Sequence, residues 1–122
     1  MRANGSLYEL CTDWPKLPEG WAFGYVPGVA VDSQDRIHVV HRGEHPVIVF
    51  DADGNVIRSW GDGLFGMAHG LTIAPDDSMY IVDCDHHTVR KFTPDGELLL
   101  TLGTEDQASP DGRPFNKPTD LA

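Results

Sequence analysis

The chain has 122 residues, the length of one modest domain, with 40% hydrophobic and 23% charged residues, a balance that excludes an extended disordered segment. Nine Lys and Arg against nineteen Asp and Glu give a net charge of −10, which repels phosphate backbones and anionic lipid, so neither nucleic acid nor a membrane is expected as a partner. No apolar run reaches the length of a membrane-spanning helix, and residues 1–10 lack the apolar stretch of a secretory signal, so a cytoplasmic location is expected. Cys11 and Cys84 are too few for a disulfide scaffold, and their spacing leaves open whether they pair.

In chain order, residues 7–14 (LYELCTDW) read first, as a strand resembling the one that ends at Trp60. Four short β-branched or aromatic runs follow, at residues 29–31, 37–40, 47–50 and 56–60. Asp-rich and Gly-rich turns at 32–35, 42–45 and 51–54 separate them, because Asp bonds its own backbone and Gly accepts positive φ. The same sequence of events recurs at 71–73, 79–82, 89–92 and 97–100, with Asp95-Gly96 as a hairpin signal. No stretch has helical periodicity long enough to predict a helix.

The recurrence is a repeat. Residues 28–61 align with 70–103 over 34 columns without a gap, and nine columns are identical, among them Gly28/Gly70, Asp35/Asp77, His45/His87, Phe50/Phe92, Gly54/Gly96 and Gly61/Gly103. Four antiparallel strands repeating every forty-odd residues define a β-propeller blade, so the fold class is all-β, with two four-stranded antiparallel blades present. The expected organisation is an N-terminal segment, 1–27, that supplies a closing strand to the last blade, then blades at 28–61 and 70–103. The start of a third blade follows at 118–122. Propellers close with about four to eight blades. The chain is therefore expected to be a piece of a longer protein or, less simply, a protomer of a homotrimeric ring.

Asp83-x-x-His86-His87-Thr88-Val89-x-x-Phe92 resembles the NHL repeat. More narrowly, residues 28–32 (GVAVD), 41–45 (HRGEH), 68–73 (AHGLTI) and 116–122 (NKPTDLA) resemble peptidyl-α-hydroxyglycine α-amidating lyase, a six-bladed propeller of this class, in the family's order. That resemblance implies cleavage of a small peptide substrate, a peptidyl-α-hydroxyglycine, to a peptide amide and glyoxylate. It implies that His69 is one of three histidines holding a catalytic zinc on the propeller axis. It implies that the backbone carbonyls of Val29 and Leu71 bind a structural calcium, and that Arg42 stands near the substrate hydroxyl. The family's catalytic tyrosine, its other zinc histidines and a calcium-binding aspartate would lie in the remaining blades of the parent chain, so this chain alone is expected to be inactive.

The residues support part of this without the family. Three neutral imidazoles and an open position keep zinc catalytic. The residue before the first-strand Gly or Asp is Pro27, then His69, then Thr119. A histidine in alternate blades of six would place three around the axis, as would a trimer of this chain. Blander readings compete. His45 and His87 repeat and read as turn residues; His41 matches Asp83 and reads as closing a hairpin. His38 and His86 read as solvated or turn residues, Cys84 as a small filler, and Trp14, Trp21 and Trp60 as packing between blades. Arg42 stands where the other repeat has Cys84, outside the blade pattern. Two other functions fit the fold: a non-catalytic NHL propeller that binds a protein or peptide, and a calcium-dependent lactone hydrolase, which would need acidic and Asn ligands where the chain offers His69.

Overall fold

A computed structural model describes residues 2–3, 5–111 and 114–122. A two-residue hairpin of β1 (Arg2–Ala3) and β2 (Ser6–Leu7) comes first, and the strand expected at 7–14 does not continue past Leu7, because no neighbouring strand lies beside 8–14 among the described residues. Next is an antiparallel meander of β3 (Tyr25–Val31), β4 (Ile37–Arg42), β5 (Val47–Phe50) and β6 (Val56–Trp60), hydrogen-bonded in chain order. A second meander repeats it with β7 (Ala68–Ile73), β8 (Met79–Asp83), β9 (Thr88–Phe92) and β10 (Leu98–Leu102). These are two propeller blades, and the described residues contain no helix. The innermost strands start earlier than the sequence predicts, at Tyr25 and Ala68. A register shift lets the chain pair beyond the β-branched core of each strand, between Tyr25 and Gly28 in one blade and between Ala68 and Gly70 in the other.

Four of the nine identical columns of the repeat hold left-handed backbone: Asp35 and Asp77, His45 and His87, Gly54 and Gly96, Gly61 and Gly103 all have φ between 56° and 94°. These are turn corners where few residue types fit, which is why the two copies agree there.

The core lies between the blades. Val40 and Val47 of the first blade meet Ala68, Met79, Ile81 and Phe92 of the second, all buried, with Trp60, Phe65 and Leu71 sealing the edge. The opposite face of the first blade carries Val39, Ile48 and Phe50, covered by Trp14, Leu17, Trp21 and Phe23 from the segment before β3. The two faces use one plan. Trp60 lies 4.9 Å from Phe92 and against Gly96, while Trp14 lies 5.5 Å from Phe50 and against Gly54. Phe65 meets Phe92 at 6.0 Å and Phe23 meets Phe50 at 6.2 Å. Of the three tryptophans expected between blades, Trp60 is there. Trp14 and Trp21 instead cover the outer face of the first blade, and Trp21 stacks on His45 at 3.7 Å.

His38 departs from its sequence reading as a solvated or turn residue. Strand alternation puts it on the same face of β4 as Val40, so it is 1% exposed. Its Nε2 donates to Asp32 at 2.8 Å, and the Arg36 side chain and the Gln34 and Arg36 amides donate to the same carboxylate. Burial alone would raise the Asp32 pKa, but the hydrogen bonds from His38, Arg36 and Gln34 outweigh it and hold the group at about 2. A depressed folded-state value contributes stability that is present above the usual carboxylate pKa near 4 and is lost as pH falls toward 2. Asp32 therefore contributes roughly 2 kcal/mol at neutral pH. Wild type is expected to lose that amount between pH 4 and 2, followed by urea titration at stepped pH. Asp32→Asn, less stable at pH 7, should show a flatter acid limb.

Candidate axial site

The first strands of successive blades approach closely at the propeller axis. A Cβ at Gly28 would stand 2.9 Å from the Leu71 side chain, and one at Gly70 would stand 2.9 Å from Asp120. Glycine at both positions is what lets neighbouring strands come this near. Residues 117–121 thereby lie along β7, held by the Thr72 hydroxyl donating to the Leu121 carbonyl at 3.0 Å and the Lys117 amide donating to His87 Nδ1 at 3.0 Å.

A cleft of about 380 Å³ opens over this seam, lined by Pro27, Gly28, Val29, His69, Gly70, Leu71, Thr119 and Asp120. It gathers the three positions that the repeat puts in register, Pro27, His69 and Thr119, together with the two residues whose carbonyls the family resemblance assigns to calcium. Of the six histidines, five are committed. His38 is bonded to Asp32, and His41 accepts from the Gly24 amide through Nδ1 at 3.0 Å and donates through Nε2 to the His45 carbonyl at 2.9 Å. His45 is stacked, His86 is 3.1 Å from Asp83, and His87 is an acceptor. His69 makes no hydrogen bond, ion pair or ring contact among the described residues, and it faces the cleft. An imidazole with both nitrogens uncommitted fits a metal ligand supplied from one blade.

Arg42 lies at the same end of the blades. Its Nε donates to the carbonyl of Ala68, the residue before His69, at 3.2 Å, and its guanidinium lies 4.7 Å from the centre of the Tyr25 ring. Tyr25 is directly opposite Arg42 in the sheet, a cross-strand partner that sequence reading missed because the strand was predicted to begin later. Beneath the arginine is a smaller hollow of about 150 Å³, walled by His41, Pro46, Phe65 and Gly66. Cys84, the equivalent of Arg42, donates through Sγ to the Pro118 carbonyl at 2.9 Å. Arg42 and Cys84 thus make the same bond, each reaching the carbonyl two residues before the first-strand Gly70 or its equivalent Asp120, so the arginine belongs to the blade pattern after all. Both cysteines are free, Cys11 exposed and Cys84 buried, and burial pushes the Cys84 thiol up, away from a nucleophilic thiolate.

A further pair of columns escaped the sequence alignment. Phe23-Gly24 and Phe65-Gly66 stand at the same 42-residue offset, and the Gly24 and Gly66 amides donate to His41 and Asp83, themselves equivalent. The repeat unit begins at this Phe-Gly, ahead of the strand glycine. The NHL repeat family model matches residues 65–92, starting at the same phenylalanine. No curated protein matches the chain. The fold and this match define a class: two blades of a β-propeller, the second similar to the NHL repeat over residues 65–92.

Proposed function

We propose that the chain supplies two blades of a six-bladed, zinc-dependent carbon–nitrogen lyase similar to peptidyl-α-hydroxyglycine α-amidating lyase. The observation that carries this reading is the uncommitted imidazole of His69 in the axial cleft, when every other histidine has a partner. In this reading residues 28–61 and 70–103 are the first and second blades and 118–122 begin the third. Residues 1–27 hold the closing strand of the last blade, a placement supported by Trp14 sitting on the first blade as Trp60 sits on the second.

His69 would hold zinc with histidines from other blades, and the Val29 and Leu71 carbonyls would hold calcium farther along the seam. Zinc supplies a Lewis acid that makes a bound hydroxyl more acidic. Arg42 is fixed through Nε and by Tyr25, and its two Nη groups make no hydrogen bond among the described residues. They are therefore available to a substrate oxygen as negative charge develops on it, the part a preorganised donor plays. As the C–N bond breaks, the hydroxyl proton would pass through a base to the departing nitrogen, giving a peptide amide and glyoxylate.

The bond that Arg42 shares in kind with Cys84 favours a second reading, in which the arginine only ties blades together and the propeller binds a peptide without acting on it. Glyoxylate release from a short peptidyl-α-hydroxyglycine by the complete propeller that contains these two blades, with Zn²⁺ added, separates the two. The lyase reading expects turnover above spontaneous decay, falling roughly 10²-fold or more in His69→Ala and Arg42→Ala. Peptide binding without glyoxylate, equal in wild type and both variants, would replace it with the scaffold.

A further inference from the structure

A second set of metal-type side chains lies at the same end of the second blade, away from the axial cleft. His86, in the turn between β8 and β9, and Glu105 and Asp106, in the loop after β10, each offer a ligand atom, and these atoms lie within 4.8 Å of one another. His86 Nδ1 is 3.7 Å from Glu105 Oε1, and His86 Nε2 is 3.9 Å from Asp106 Oδ1. None of these separations is a hydrogen bond.

The imidazole is already oriented for this. Its Nδ1 is buried and faces the fully buried Asp83 carboxylate at 3.1 Å, which leaves Nε2, without a hydrogen bond among the described residues, as the ligand atom. The surroundings are already arranged. Arg90 takes Glu105 Oε2 at 3.1 Å and leaves Oε1 toward the ring, while the Asp106 amide donates to the His86 carbonyl at 3.2 Å. A Cβ at Gly66 would stand 3.0 Å from Nε2, so glycine there keeps that edge of the ring clear.

We propose that His86, Glu105 and Asp106 bind a divalent transition-metal ion of the zinc type, with Asp83 as the carboxylate behind the imidazole. One imidazole nitrogen and two carboxylate oxygens suit zinc, whereas calcium takes six or more oxygens. A carboxylate behind a ligating histidine orients the ring and raises its basicity. The ion would staple the loop after β10 to the turn that closes β8 and β9. That loop leads to residues 117–121, so the staple would fix the segment that flanks the axial cleft.

This site stands apart from the His69 reading, and one experiment separates them. Zn²⁺ binding to the intact chain is measured by calorimetry for wild type, His69→Ala, His86→Ala and the double variant Glu105→Gln/Asp106→Asn, with Ca²⁺ as the control ion. The expected result is one zinc per chain, weakened tenfold or more in His86→Ala and in the double variant but unchanged in His69→Ala, with Zn²⁺ raising the melting temperature of wild type and His69→Ala only. The double variant changes two exposed side chains, so it keeps the test decisive if His86→Ala fails to fold. Absence of zinc binding by wild type, or binding that survives the double variant, would overturn the site. Binding lost only in His69→Ala would overturn it too, while favouring the axial zinc.

Discussion

Phe92→Ala is expected to destabilise the chain by about 3–5 kcal/mol, the range for deleting a fully buried aromatic ring. Phe92 has no exposure and stands in the core between the blades, where Trp60 reaches it at 4.9 Å and Phe65 at 6.0 Å. Removing the ring leaves a cavity against two aromatic neighbours, and aromatic contacts of this kind add to the area term. The equivalent Phe50→Ala opens a cavity under Trp14 and Phe23, which come from the segment before β3. Both variants should lower the urea midpoint. Phe92→Ala alone should expose Trp60, seen as a red shift in tryptophan emission, because Trp60 is the tryptophan packed on that ring. A fall of less than 1 kcal/mol in Phe92→Ala would mean that the two blades are not held together by this core.

The fold was legible because the blade is written twice. Periodicity located all eight blade strands, and the turn corners with positive φ account for four of the nine identical columns. The strand starts were missed at Tyr25 and Ala68. There the pairing runs on past a register shift through residues with little β character, and only the backbone geometry shows it. The site was legible in part. His69 stood out by its place beside the strand glycine, but its lack of partners is a property of packing. Tyr25 beneath Arg42 is a cross-strand contact, invisible to spacing along the chain. His86 carried no sequence signal because its carboxylate neighbours arrive from the loop after β10, about twenty residues later. His38 was misread because one buried histidine on a strand looks like any polar residue until its partner, Asp32, is known to lie across the hairpin.

The Phe-Gly that opens each unit leads to the last expectation. Asp83 has no exposure, and its two oxygens accept from the Gly66, Met67 and His86 amides at 2.9, 2.9 and 3.1 Å. It therefore ties the connection entering the second blade to the turn between β8 and β9. Asp83→Ala strands three donors at once, and a buried donor left unpaired costs about 1–3 kcal/mol. Because these amides are only partly buried, water recovers some of them, and a loss of roughly 3 kcal/mol is expected from urea denaturation. His41 has the same duty in the first blade with one amide, so His41→Ala should cost about 1–2 kcal/mol. The decisive comparison is Asp83→Asn. It keeps one carbonyl oxygen as acceptor but turns a donor toward an amide, and should lie between wild type and alanine. Amide exchange at Gly66 and Met67 should quicken in the same order. If Asp83→Ala matched wild type in both measurements, the turn would be holding itself, and the carboxylate would have to be explained by something it binds.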